Sequence, residues 1–315
     1  MLMKVLINNL FQGVLARGIS TYTHNLTLGI SQIDHKVTVI ESSSIPFSPH
    51  FPRFIFNILF IFWEQIVIPI RALFHDRVIS PYNSASLLLS VFSNKQMLII
   101  HDFIPYDRNF SISLLYLKFT VFVHSKFRRD VAFITSSVES ESLRRGYFRD
   151  SKRFIIPNTF FDFQQNLAKQ EHAQITGDYI LLCSGMSENK DLVGAIRLAR
   201  MLPGHRFLVL GASSERNREL AGLSIKFLPQ VSAEMVANVY KFAKYVWVHS
   251  NNEGFGRSIV EARLAGKVVI ASNIEAFRAQ SDSSVFLYGT EAQFIKSVSD
   301  ASSYVAKDPY VCKYN

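Results

Sequence analysis

The stretch from Val246 to Ser272, VWVHSNNEGFGRSIVEARLAGKVVIAS, leaves few folds open to this chain. Val246 to Ser250 is a short apolar run ending in polar residues. Asn251, Asn252, Gly254 and Gly256 make a loop. From Arg257 to Ala265 the chain carries helix formers, with Ile259, Val260 and Leu264 at helical spacing, and Gly266 stands where a helix stop is expected. Val268 to Ala271 reads as a second buried strand. The unit is strand, glycine loop, helix, strand. In open α/β sheets such a loop lies at the C-terminal end of a strand, where free backbone N–H groups and the helix dipole attract negative charge.

Two carboxylates frame the loop, Glu253 before it and Glu261 inside the helix. Glutamates eight residues apart are common by chance. The composite is not: Glu-Gly-Phe-Gly, then Glu261, then Ala-Gly-x-Val-Val-Ile-Ala-Ser. It resembles the Glu-x7-Glu signature of family-4 retaining glycosyltransferases (glycosyl transferases group 1). That resemblance implies the GT-B fold, an α/β architecture of two Rossmann-like doubly wound domains facing across a cleft.

Length and composition agree with two domains. The chain has 315 residues, of which 48% are hydrophobic, ample for a core. Two cysteines, Cys183 and Cys312, make neither a disulfide framework nor a cysteine-based metal site, which suggests a reducing compartment. The first residues read as a strand, not a signal peptide, and place the protein in the cytoplasm. Residues 1–160 hold 17 Lys/Arg against 10 Asp/Glu, and residues 161–315 hold 17 against 15, so the net charge of +9 belongs mostly to the first half. Much of the phenylalanine lies there too. No nucleic-acid recognition signature accompanies the charge. Basic and apolar together favour peripheral contact with an anionic membrane surface, on its inner face, over a merely solvated face.

In chain order, strands are expected at 4–8, 36–41, 77–80, 96–100, from Phe133, and at 154–158. Helices are expected at 19–30, 112–122, 125–131 and 138–146, the last with Ser137 as N-cap. Residues 53–73 are apolar all round but are interrupted by Asn57, Glu64, Gln65 and Pro69, a poor transmembrane helix. The segment either dips into a membrane interface or is buried against the sheet. The first domain is set at 1–165, a polar linker at 166–177, and a second α/β domain at 178–315. That domain reads as strand 179–184, helix 192–201, strands 206–210 and 225–228, and helix 232–242. The unit above follows, and one short helix, 291–305, stands near the end.

The resemblance also implies roles. Lys190, after the first strand of the second domain, falls at the family's phosphate-binding lysine. Met186 stands where an arginine is usual, and Arg257 is a candidate replacement. Glu253 with the amides of Gly254, Phe255 and Gly256 would hold the donor hexose. Glu261 would accept from the ribose hydroxyls, with the Pro229–Ser232 turn against the base. Arg17-Gly18-Ile19-Ser20-Thr21-Tyr22 keeps one glycine of the family's pair, so the Gly18 amide would face the donor phosphate; Gly13 reads equally as an ordinary turn. His101-Asp102-Phe-Ile-Pro resembles the His-Asp-x-x-Pro motif of bacterial O-antigen mannosyl- and rhamnosyltransferases, in which the His holds the sugar. No Asp-x-Asp occurs in the sequence. No metal and no cofactor are therefore expected, the nucleotide sugar being a substrate.

The expectation is an enzyme, a hexosyltransferase in which His101, Lys190 and Glu253 act on the reacting sugar. It would move a hexose, GDP-mannose being the first guess for donor, to a lipid-linked or polysaccharide acceptor in cell-surface glycan synthesis. Rival readings are a nucleotide-sugar epimerase on the same fold and a degenerate, non-catalytic glycosyltransferase-like subunit.

Overall fold

A computed structural model describes residues 3–9, 17–33, 36–41, 53–107, 111–185, 187–212, 223–229, 231–304, 310 and 312. The chain divides into two compact units, Met1–Thr159 and Phe160–Asn315.

The first unit runs β1 (Lys4–Asn9), α1 (Arg17–Ser31), β2 (Lys36–Glu41), α2 (Arg53–Phe62), α3 (Ile68–Ala72), β3 (Arg77–Ser80), α4 (Leu87–Phe92), β4 (Gln96–Ile100), α5 (Ile112–Lys126), β5 (Val131–Phe133), α6 (Ser136–Arg144) and β6 (Arg153–Ile155). Its strands form one parallel sheet in the order β2-β1-β3-β4-β5-β6. Hydroxyls start the helices: Ser86, Ser111 and Thr135 accept from the amides of Leu89, Leu114 and Val138. Thr135, not Ser137, is thus the N-cap of α6. α5 is one continuous helix, and residues 131–133 leave the helical pattern to become a strand.

Residues 53–72 form a broken helix. Pro69 has no N–H to donate one turn back, and a π-helical turn, Trp63–Val67, joins α2 to α3 just before it. Phe60, Glu64, Ile68 and Ala72 are buried, while Ile58, Phe62, Ile66 and Ile70 are exposed. The segment therefore has a buried side and an apolar solvent side. Glu64, read in the sequence as an interruption, is wholly buried and accepts hydrogen bonds from Tyr116 Oη of α5 and, at 2.8 Å, from Ser84 Oγ.

The second unit runs α7 (Phe161–Ala168), β7 (Ile180–Cys183), α8 (Leu192–Ala199), β8 (Arg206–Leu210), β9 (Ser224–Leu228), α9 (Ala233–Lys241), β10 (Tyr245–Val248), α10 (Arg257–Leu264), β11 (Val269–Ser272), α11 (Glu275–Arg278), β12 (Val285–Tyr288) and α12 (Glu291–Ser303). Period-two alternation splits its core between the two sheet faces. Ile180, Leu182, Tyr245 and Trp247 pack toward α8 and α12. Leu181, Cys183, Val246 and Val248 pack toward α9 and α10. The parallel strands lie in the order β9-β8-β7-β10-β11-β12. Counted within the unit, this is 3-2-1-4-5-6, the doubly wound arrangement whose direction reverses between its first and fourth strands.

The segment read as a linker, 166–177, is packed onto the second unit. Asn238 of α9 donates to Gln170 Oε1 (3.0 Å) and to the His172 carbonyl (2.8 Å), and it accepts from the Gln174 amide (3.0 Å). A glutamine-rich stretch looks featureless as sequence because the buried asparagine that holds its side chain, carbonyl and amide lies some 65 residues away.

Candidate functional site

The reversal point of the second sheet lies between β7 and β10, and the loops that leave these strands at their C-terminal ends meet there. They are sewn together by polar contacts. Asn251 N donates to the Asn189 carbonyl at 2.8 Å, Ser250 Oγ donates to it at 2.7 Å, and Asn189 Nδ2 donates to the Asn252 carbonyl at 3.0 Å. Lys190, on a 3₁₀ turn after β7, forms an ion pair with Glu253, and both side chains are largely buried.

Beyond Glu253 the chain turns through Gly254, Phe255 and Gly256 into α10. Gly256 adopts φ +84°, and a Cβ there would sit 3.0 Å from Phe277 Cδ1, so glycine is required twice over. Phe255 is buried, and its carbonyl accepts from Gln280 Nε2 at 3.3 Å. Among the described residues, the Gly254 and Gly256 amides donate to no protein acceptor, and α10 has no side-chain cap. Uncapped N–H groups at a helix start are donors suited to an anion, and here they follow directly on Glu253, the partner of Lys190.

Arg257, proposed from sequence as a substitute phosphate cation, is engaged elsewhere. Its Nη2 lies 3.2 Å from Glu261 Oε1 one turn on, and its guanidinium lies over the Phe160 ring at 4.5 Å. The two residues given separate ligands therefore hold each other, the i,i+4 spacing placing them on one helix face. The site carries two opposed charge pairs, Lys190–Glu253 and Arg257–Glu261.

Sequence reasoning passed over a further set of residues at this point. His249, buried at the end of β10, stacks parallel to Tyr288 and sits 2.6 Å from its hydroxyl; its Nε2 lies 3.4 Å from Asp191 Oδ2. Asp191, directly after Lys190, has a left-handed backbone (φ +40°) and caps α8 by accepting from the Gly194 amide. Burial pushes the His249 pKa below its ordinary value, against the opposing pull of Asp191. Burial would raise the Asp191 carboxyl, but the Gly194 amide and His249 outweigh it and hold the pKa down. The legible signal was a histidine and an aspartate each adjoining a motif residue.

The remaining sequence candidates lie in the first unit. His101 is buried at the C-terminal end of β4, edge-on to the Tyr22 ring at 4.7 Å, and its amide donates to Asn83 Oδ1 at 2.7 Å. Asp102 Oδ1 accepts from the Ile104 amide at 3.0 Å, which makes it a local turn former. Gly18 lies in the first turn of α1, whose helix begins at Arg17, and a side chain there would meet open space. Gly13, Met186 and Gln230 fall outside the described residues.

Comparison with known proteins gives three findings. Residues 164–302 match the family glycosyl transferases group 1, a span inside the second unit. A D-inositol 3-phosphate glycosyltransferase of Mycolicibacterium smegmatis is 36% identical over 91 residues, covering 25% of this chain and 21% of that protein, so the likeness spans about a fifth of the relative. Among solved structures, a sucrose-phosphate synthase from Thermosynechococcus elongatus has a TM-score of 0.68 at 16% identity, covering 95% of this chain and 89% of that one. HepE of Anabaena, in complex with UDP and glucose, has a TM-score of 0.64 at 16% identity, again covering 95% and 89%. The chain has the two-sheet α/β architecture of GT-B glycosyltransferases.

Proposed function

We propose that this chain is a glycosyltransferase that takes a hexose from a nucleotide sugar, with the donor held on the second unit. One observation carries the reading: the Lys190–Glu253 pair stands at the sheet's reversal point, beside the Gly254 and Gly256 amides, which among the described residues donate to no protein acceptor. A nucleoside diphosphate needs cations or N–H donors, and a hexose needs carboxylates to accept from its hydroxyls. Lys190 turns toward the phosphates and Glu253 toward the sugar. Glu261 takes the ribose diol, and Arg257, 3.2 Å away, orients that carboxylate. His101, at the C-terminal end of β4, is the first unit's own candidate for a sugar contact.

The transfer breaks the bond between the anomeric carbon and the phosphate oxygen and forms one to the acceptor oxygen. The acceptor's proton passes to the departing phosphate, and the amides with Lys190 stabilise its charge. In this reading the configuration is retained and neither metal nor cofactor is needed. The donor is GDP-mannose first. The acceptor is lipid-linked, in O-antigen-type glycan synthesis, and the protein works peripherally at the inner face of the membrane. The exposed apolar sides of α2–α3 and α5 support that last point: Ile70, Ile112 and Phe119 are exposed, and Asn57 Nδ2 donates to Ser113 Oγ to join α2 and α5. No helix among the described residues is long and apolar enough to cross a membrane.

The test is calorimetry with GDP, UDP and the parent nucleosides on the wild type and Glu261→Ala. Tighter binding of one diphosphate, weakened in the variant, is expected; unchanged affinity in the variant refutes the ribose assignment. Cosedimentation with anionic vesicles tests the membrane contact, which fails if neutral and anionic vesicles bind equally. Turnover without any acceptor would select the epimerase reading. A donor bound but never transferred would select the non-catalytic one, which the self-paired charges also favour.

A further inference from the structure

Four side chains behind the glycine loop form a directional chain of hydrogen bonds. Trp247 Nε1 can only donate, and it lies 2.8 Å from Tyr288 Oη. The Tyr288 oxygen therefore accepts, and its own proton is available to His249 Nδ1 at 2.6 Å. With Nδ1 accepting, the imidazole carries its proton on Nε2, aimed at Asp191 Oδ2 at 3.4 Å. Asp191 Oδ1 accepts from the Gly194 amide at 3.1 Å. The chain thus runs from β10 through the end of β12 to the residue that follows Lys190. Ser272 Oγ, 3.4 Å from His249 Nδ1, accepts from the Ser250 amide, and Arg197 on α8 is the further charge that acts on the imidazole.

We infer that His249 and Asp191 are positioning residues for Lys190, fixing the turn after β7 against the loop after β10; the inference rests on the donor reading above. Three features point to it. Asp191 holds a left-handed backbone that non-glycine residues adopt at a cost, so its side chain must be secured. The carboxylate leaves no room at position 194, where a Cβ would come within 2.2 Å of Asp191 Oδ2. The tautomer that gives Asp191 a donor is the one that Trp247 and Tyr288 impose. A lysine on a mobile turn is a diffuse charge; one whose neighbour is clamped at both carboxylate oxygens is aimed.

The experiment measures the ratio of nucleoside diphosphate to nucleoside affinity, with UDP and uridine and with GDP and guanosine, for wild type, His249→Leu, His249→Gln and Gly194→Ala. The ratio isolates the phosphate contact from general stability. His249→Leu and Gly194→Ala, which displaces the carboxylate without touching the imidazole, each lower it roughly tenfold, as the loss of one hydrogen bond to a charged group implies. His249→Gln keeps a donor toward Asp191 and restores most of the ratio. If His249→Leu does not fold, the Gln and Gly194 variants decide. Wild-type diphosphate binding with an unchanged ratio in the folded variants overturns the positioning role alone. No diphosphate binding by wild type overturns the donor reading itself. Imidazole ¹⁵N NMR adds a second readout: a protonated Nδ1 in neutral His249 refutes the hydrogen-bond chain.

Discussion

Glu64 offers a prediction whose size follows from burial. The carboxyl is wholly buried; that burial pushes its pKa up to about 7, against hydrogen bonds from Tyr116, Ser84 and Gln65 that pull it down, whereas the unfolded chain titrates near 4.5. Between those values the native state holds a proton that the unfolded state has lost. Stability is therefore fully present below pH 4.5 and falls as pH rises toward 7, by about 1.4 kcal/mol per unit, about 3 kcal/mol in all. His124, buried in the same unit, acts in the opposite sense. Burial lowers its pKa to about 4 from 6.5, so its contribution is present above 6.5 and lost as pH falls toward 4. The two slopes oppose each other between pH 4.5 and 6.5 and mask each other in the wild type. Glu64→Gln removes one of them. The stability difference between variant and wild type cancels every other titration and should move in the variant's favour by about 3 kcal/mol between pH 4.5 and 7. Urea unfolding read by Trp63, in a Trp247→Phe background because the two tryptophans lie one in each unit, isolates the first unit. A difference that stays flat across that window refutes the reasoning.

Other outcomes follow from the second unit. On the proposed reading, Lys190→Ala removes the charge that would face the phosphates and should weaken nucleoside diphosphate binding roughly tenfold or more while leaving nucleoside binding in place; calorimetry checks it, and equal weakening of both ligands would count against the phosphate role. Gly256→Ala forces a side chain into a left-handed backbone and against Phe277, and should cost the second unit about 1–3 kcal/mol, read by denaturant melts. On the proposed reading, transfer activity should survive EDTA, with added Mg²⁺ changing the rate less than twofold, because amides and a lysine would do the work a divalent ion does elsewhere.

What the amino-acid order made legible depends on how locally each feature is determined. The strands of the second unit are apolar runs closed by polar turns, and Gly256 and Gly266 sit where the backbone needs positive φ, so the unit around α10 could be read residue by residue. α4, α11 and β12 are short, and their packing partners are distant, so no period announced them. The broken helix at 53–72 was ambiguous because its two sides differ by only one buried carboxylate, whose hydroxyl partners Ser84 and Tyr116 come from two other segments.

The site divides along the same line. Its residue types were visible, but their pairing was not. Lys190 and Glu253 are 63 positions apart, and they meet because strand order places β7 beside β10 while β8 and β9 lie on the far side of β7. Chemistry assigned one residue at a time gives each charge a ligand of its own; a sheet that reverses direction makes the charges neighbours. Arg257 and Glu261 carry the same lesson at shorter range, since their spacing alone was enough to pair them before any donor was considered. On the proposed reading, the two opposed pairs make a diphosphate compete with carboxylates for its cations. Selectivity should then lie in ligands that satisfy both partners of a pair at once, phosphate for the lysine and hydroxyls for the glutamate. A nucleotide sugar offers both groups together, whereas inorganic pyrophosphate offers only the first and should bind far more weakly than its charge suggests.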